Sequence, residues 1–342
     1  MPRRLGLATL SALVLTCAFG VQLPLSAALP QTNRPVATHI VGMGNFSHIV
    51  ADLDRAIAFY RDGLGLDLAA PARPFEAIPA IQKAANVPGA ETRYVVLKVP
   101  GSTMGVELIE YRGIDRKPVS PRFQDPGAAN LIVSVRDIDA TLGALKKAGA
   151  RVITVAGTPV SIGGRSRNVF LQDPDGFVIE LGQPNEPPAP TAETPGNVFR
   201  AGFEAAIRDT DTSVAFYRDL LGFEASIAPG FNDNKLMAET AGAPGAQFRQ
   251  TRLQVPGTSA AMTLIEFKNI ERKSLSPRVQ DPGMTMLQLL VRDLDGLLKK
   301  LKAGGAVVMS PDGEAATLGA IRLAVVRDPN NLFLELIERP QP

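Results

Sequence analysis

One cysteine, two histidines and no tryptophan stand among the 342 residues of this chain. The cysteine is Cys17, near the N-terminus, so the body has no intrachain disulfide, no thiol nucleophile and no cysteine-bound zinc. His39 and His48 are too few for a His-rich metal centre. An excess of one charge is missing too: the net charge is +2, and Arg3 and Arg4 supply it, because no Asp or Glu precedes Ala28. The near-neutral body argues against nucleic acid, whose binding needs clustered Lys and Arg. No Gly-rich phosphate loop, Gly-x-Ser-x-Gly elbow or nucleophile–histidine pairing is visible. What remains is an ordinary soluble composition, 45% apolar and 20% charged. At roughly 150 residues per domain the length predicts about two domains.

Residues 1–28 read as a signal peptide. Met1-Pro2-Arg3-Arg4 is a basic start, Leu5 to about Leu25 an apolar run, and Ser26-Ala27-Ala28 a small-residue cleavage site. The alternative is an uncleaved membrane anchor, but Gly20, Gln22 and Pro24 interrupt the run. The expectation is an exported protein, periplasmic or secreted, with no membrane attachment after cleavage. Leu15 and Thr16 before Cys17 fit a lipidation signal poorly.

The body repeats itself. Val50-Ala51-Asp52-Leu53-Asp54-Arg55-Ala56-Ile57-Ala58-Phe59-Tyr60-Arg61-Asp62 returns as Ile207-Arg208-Asp209-Thr210-Asp211-Thr212-Ser213-Val214-Ala215-Phe216-Tyr217-Arg218-Asp219. Ser120-Pro121-Arg122 with Gln124-Asp125-Pro126-Gly127 returns as Ser276-Pro277-Arg278 with Gln280-Asp281-Pro282-Gly283. Internal repetition at this scale decides the architecture. Each half divides again, into pieces opening near Gly44, Gly127, Gly196 and Gly283. Each piece starts with an apolar run ending in Val/Ile-x-Asp, which then enters a helical pattern capped by an aspartate such as Asp52 or Asp54. Short β-rich stretches follow, and Asp173-Pro174-Asp175-Gly176 and Asp328-Pro329-Asn330-Asn331 turn into the last strands. The unit is strand, helix, about three strands, written four times. Residues 183–196, rich in proline, read as a linker between units 40–182 and 197–339.

These motifs, with Val106-Glu107-Leu108-Ile109-Glu110-Tyr111 and Phe177-Val178-Ile179-Glu180-Leu181, make the sequence resemble the vicinal oxygen chelate superfamily of glyoxalase I, bleomycin-resistance proteins and extradiol dioxygenases. The resemblance covers about residues 40 to 338. It implies an α+β fold of four βαβββ modules in two paired domains, each pair curling around a cavity. It also implies ligand positions on the first and last strands of a pair, usually His or Gln, Glu, His and Glu. In the first half the first-strand positions, seven residues before the helix-capping Asp, fall on Asn45 and Asn130, and the last-strand positions on Glu107 and Glu180. In the second they fall on Gly202, Thr263, Met286 and Glu335, which reads as a scaffold or apolar cavity. Strand alternation places Phe46, His48 and Val50 against the helix, leaving Asn45, Ser47 and Ile49 toward the cavity.

With asparagine at both imidazole positions, the first-half set favours oxygen-loving cations such as magnesium, calcium or manganese over zinc, nickel or iron. A metal-free pocket, in which the four only bond one another or a ligand, is the preferred alternative. The functional expectation is a small-molecule protein: a lyase, isomerase or epimerase in which Glu107 or Glu180 moves a proton beside a carbonyl. A binder without turnover, or a scaffold, is the alternative. His48 reads as a packed histidine unless a strand bulge turns it into the cavity, and His39 as a surface residue. Glu110 and Glu266 read as structural partners of Arg116 and Arg272. Phe59, Tyr60, Phe216 and Tyr217 read as core.

Overall fold

The computed structural model describes residues 39–256 and 258–340; the export signal and Cys17 lie outside them. Four modules follow one another. The first contains β1 (Ile40–Ile49), α1 (Leu53–Ile57), α2 (Pro79–Ala85), β2 (Glu91–Lys98) and β3 (Gly105–Arg112). The second contains β4 (Ala129–Val135), α3 (Ile138–Lys147), β5 (Arg151–Val152), β6 (Val160–Ile162), β7 (Ser166–Gln172) and β8 (Val178–Pro184). The third contains β9 (Val198–Ile207), α4 (Thr210–Val214), β10 (Glu224–Ile227), α5 (Lys235–Thr240), β11 (Gln247–Gln254) and β12 (Ala261–Lys268). The fourth contains β13 (Thr285–Val291), α6 (Leu294–Ala303), β14 (Val307–Val308), β15 (Ala316–Leu318), β16 (Ile321–Arg327) and β17 (Phe333–Glu338). Among the described residues no helix is long and apolar enough to cross a membrane.

The expected caps form at all four module helices. Asp52, Asp137, Asp209 and Asp293 each accept a first-turn backbone N–H, from Arg55, Ala140, Thr212 and Gly296. Both α1 and α4 run on into a π-helical turn, Ala58–Gly63 and Ala215–Leu220. The wider turn buries two consecutive aromatics, Phe59 with Tyr60 and Phe216 with Tyr217. They are core, as their helical positions suggest.

Two sheets result, and their membership departs from the order of the chain. The first sheet runs β14-β16-β17-β13-β1-β3-β2, joining module one to module four. The second runs β10-β11-β12-β9-β4-β8-β7-β5, joining module two to module three. Antiparallel pairs β1–β13 and β4–β9 close the seams. Units 40–182 and 197–339 therefore do not each enclose a cavity of their own. Each module leaves one edge of its first strand unpaired, and that edge must be covered; the crossovers determine by what. Val119 N donates to Pro282 O and Leu275 N to Pro126 O, while the Lys117 and Lys273 N–H groups donate to Asp281 and Asp125. The two crossing segments thus clasp each other about a pseudo-twofold.

The repeated Gln-Asp-Pro-Gly motif belongs to this clasp. Gly127 and Gly283 have φ of +91° and +92°, and a Cβ on them would lie 2.4 Å from Asn330 O and 2.0 Å from Val119 O. Only glycine lets the crossing backbone pass. The proline-rich segment is also held: β8 extends through Gln183 and Pro184, and Arg136 donates to the carbonyls of Pro188, Ala189 and Gly196. One apolar core, containing Phe46, Leu108, Leu131, Ile179, Phe203, Leu264, Leu287 and Leu334, joins the helix-facing sides of both sheets. The opposite faces are where polar side chains collect.

Candidate functional site

On the first sheet, Ser47 lies beside Glu107 in the parallel β1–β3 register, and its hydroxyl donates to Glu107 Oε2 at 2.6 Å. Glu335 lies beside Gln288 in the β13–β17 register. The Gln288 amide joins the two modules: Nε2 donates to Glu107 Oε2 at 2.8 Å and to Glu335 Oε2 at 2.9 Å. Gln288 Oε1 is held by the Asn45 backbone N–H at 2.9 Å. A bulge in β1 between Met43 and Phe46 makes this possible. The Asn45 side chain accepts from Gly105 N at 3.0 Å. Gly44 completes the fit, because a Cβ there would sit 2.8 Å from Gln288 Cβ.

Glu107 and Glu335 are half-buried. Burial raises the Glu107 carboxyl, partly offset by the Ser47 hydrogen bond. Burial, then repulsion from Glu107, pushes Glu335 up to about 8. Two acids that repel in this way shed their protons in separate steps. The rest of this face is apolar: Val96, Ile109, Met286, Val325 and Phe333 share it by strand register. Helix α2 closes one end, with Ala84 and Ala85 packed among Ile49, Tyr111, Met284 and Leu323.

The second sheet gathers a different set. Glu180 and Glu204 are 0% and 1% exposed. Asn168 donates to Glu180 at 2.8 Å, and Asn130 donates to Glu204 at 3.4 Å. Burial pushes Glu180 up to about 8 against the Asn168 hydrogen bond. Burial and repulsion from Glu180 hold Glu204 well above the usual carboxylate range. Asn130 Oδ1 and Glu180 Oε2 are buried with no hydrogen-bond partner.

The expected quartet of Asn45, Glu107, Asn130 and Glu180 is thus divided: Asn45 and Glu107 belong to one sheet, Asn130 and Glu180 to the other. The second-half quartet divides likewise, Met286 and Glu335 joining the first sheet, Gly202 and Thr263 the second. Glu335 is therefore not a lone relict carboxylate. It faces Glu107, and Ser47 and Gln288 complete the group. Strand parity marks Ser47 and Gln288 as cavity-facing, but a count of seven residues back from the caps passes over both, which lie nearer the capping Asp52 and Asp293.

His48 is fully buried on the helix side of β1, as a packed histidine. Nε2 lies 2.9 Å from Asp173 Oδ2 and Nδ1 3.1 Å from Met284 O, so both nitrogens face acceptors. Burial alone would lower its pKa; the charge and hydrogen bond of Asp173, with Asp175, more than offset that and raise it. Among the described residues His48, Asp173 and Asp175 form a group whose ligand atoms lie within 4.8 Å of one another. Its oxygens are engaged, however: Tyr60 OH and the N–H groups of Asp175 and Phe177 donate to Asp173, and Arg55 pairs with Asp175 at 2.6 Å. Arg55 and His48 supply the positive charge there, and the cluster fastens the Asp-Pro-Asp-Gly turn beneath α1. His39 packs beside Asp293 at 3.5 Å. Glu110 and Glu266 are structural, but their partners are Arg93 and Arg249; Arg116 and Arg272 instead donate to backbone carbonyls.

A pair of sheets built from βαβββ modules, each with acids on the face turned away from the module helices, defines a class. The family model described as Glyoxalase/Bleomycin resistance protein/Dioxygenase superfamily matches residues 39–181 and 202–336. The chain belongs to that superfamily. A 2-epi-5-epi-valiolone epimerase from Actinomyces sp is 27% identical over 146 residues, 41% of this chain and 78% of that protein. A lactoylglutathione lyase from Haemophilus influenzae is 31% identical over 133 residues, 39% of this chain and 84% of that protein. A glyoxalase I variant from Zea mays aligns with a TM-score of 0.55 at 19% identity, covering 86% of this chain and 93% of that one. At that identity the likeness is one of fold.

Proposed function

We propose that the protein is an enzyme of the isomerase or lyase type, shifting a proton beside the carbonyl of a small molecule on that face of the first sheet. The observation that carries this is the meeting of Glu107 and Glu335, from the first and last modules, on the single Gln288 amide. Repulsion from Glu107 favours the proton on Glu335, so Glu335 serves as the acid and Glu107 as the base. A hydrogen on the carbon beside the carbonyl passes to Glu107, and Glu335 returns one to the neighbouring atom. Ser47 and Gln288 hold the two carboxyls in place, while the apolar walls from Val96 to Phe333 keep water from the reacting carbon. Relatives named for an epimerase and a lyase support the reaction type.

The donor set also fits a hard divalent cation. Ser47, Glu107, Gln288 and Glu335 offer only oxygens as ligands, and two carboxylate oxygens already approach one point, now taken by the amide nitrogen. Bound there, such a cation would stabilise negative charge developing on substrate oxygens. A metal-free binder without turnover is the second reading, favoured by the amide, which already satisfies both acids.

Deuterium incorporation from heavy water into dihydroxyacetone, glycolaldehyde and a methylglyoxal hemithioacetal, followed by NMR with and without added Mn²⁺, tests the proposal. Accelerated exchange that Glu107→Gln abolishes is the expected result. Binding of these compounds without exchange, with or without the metal, would favour the binder and overturn the enzyme. Export is part of the same proposal, supported by the basic start and apolar run of residues 1–28. N-terminal sequencing from the native compartment should find a start near Leu29; an intact Met1 in a cytosolic fraction contradicts it.

A further inference from the structure

The two acid-bearing faces are chemically unlike. In the first sheet Val96 lies opposite Glu107 and Tyr94 opposite Ile109; the equivalent positions in the second are Arg252 opposite Thr263 and Gln250 opposite Ile265. Arg200, opposite Ser134, shares strand parity with Gly202 and Glu204 and so points to the same side. Arg252 is half-buried, and among the described residues its guanidinium has no hydrogen bond or ion pair. Burial and the neighbouring charge of Arg200 lower its pKa. The acids below compensate little, since burial raises Glu204 and pushes Glu180 up to about 8. The face is therefore cationic at its mouth.

The base itself is under-bonded. Asn130 Oδ1 and Glu180 Oε2 lack partners although both residues are 0% exposed. A buried polar group without a hydrogen-bond partner is costly, so these atoms call for hydroxyl-bearing company. Room exists above them: a Cβ on Gly202 would meet nothing nearer than Ile132 Cβ at 4.0 Å. We propose that this second face binds, without turnover, a small anion that carries several hydroxyl groups. The anionic group would pair with Arg200 and Arg252, and the hydroxyls would bond Asn130, Glu180 and Gln250. Carboxylate and phosphate both match the guanidinium fork.

Titration calorimetry on the dialysed full chain tests this with D-gluconate, D-glucose 6-phosphate, D-glucose and inorganic phosphate. One of the two hydroxylated anions should bind with one-to-one stoichiometry, and which of them does identifies the anionic group. Neutral glucose and bare phosphate should bind at least about tenfold more weakly, the scale of a lost charge-assisted hydrogen bond. Arg252→Val, the residue that occupies the equivalent place in the first sheet, should weaken binding by at least about tenfold with unchanged melting. Gly202→Leu should fill the space and abolish binding, and Glu107→Gln should leave it intact. No binding of either anion, binding that phosphate alone matches, indifference to Arg252→Val, or loss in Glu107→Gln would each overturn the proposal.

Discussion

Glu180→Gln should make the protein more stable in alkali while leaving it unchanged in acid. The Glu180 carboxyl is fully enclosed, and its pKa moves from an ordinary 4.5 to about 8 on folding. Below pH 4.5 both states hold the proton and no penalty exists. As pH rises, the unfolded chain ionises first while the folded one keeps its proton, so stability falls until the folded group also ionises near 8. A gap of about 3.5 units, at ~1.4 kcal/mol per unit, sets the loss at roughly 5 kcal/mol. Glutamine matches the protonated acid in shape: it still accepts from Asn168 and puts a donor where Glu180 Oε2 carries its hydrogen. Urea midpoints across pH 5 to 9 should coincide at the acid end and diverge by several kcal/mol above pH 8, with the variant ahead. The penalty from Glu204 is common to both proteins, apart from the repulsion that Glu180 adds to it. Parallel curves would mean that Glu180 is already ionised in the folded chain, and the reasoning about this face would fail.

His48→Ala should cost about 3–5 kcal/mol in chemical denaturation at pH 6, because it leaves Asp173 buried beside Asp175 without its cationic partner. The raised pKa of His48 means its contribution is full below the unfolded value of 6.5 and is lost as pH rises through the folded one. The stability difference between wild type and variant should therefore shrink in alkali; a pH-independent difference would contradict an imidazolium there. Gly44→Ala should displace Gln288 and cost about 1–3 kcal/mol, and it should suppress proton exchange at the first face more than it lowers melting. Full exchange activity in that variant would show that the Gln288 amide does not hold the acids.

The fold was legible because its signals are local and repeated. The Val/Ile-x-Asp entries, the capping aspartates and the Asp-Pro turns recur at matching places, and the alternation of β1 placed Phe46 and His48 against the helix. Glu107 was legible for the same reason. Its partner was not, because edge pairing is a long-range property: nothing in the alternation of β1 distinguishes β4 from β13 as its neighbour. The motif that fixes the exchange, Gln-Asp-Pro-Gly, was visible but carries no meaning until another backbone is seen to pass over Gly127 and Gly283. The count of seven from the cap hid the remainder, since it lands on Asn45 when the residue beside Glu107 is Ser47.

The claim that the two halves build one working site between them is tested most directly by comparing proton-exchange rates of Glu107→Gln, Glu335→Gln and Glu180→Gln, with melting measured for each. Glu107 and Glu335 lie in different halves and share one amide, so either substitution should abolish exchange in a folded protein, and Glu180→Gln should preserve it. Exchange that survives Glu335→Gln but disappears in Glu180→Gln would return the site to the first half alone and contradict the account.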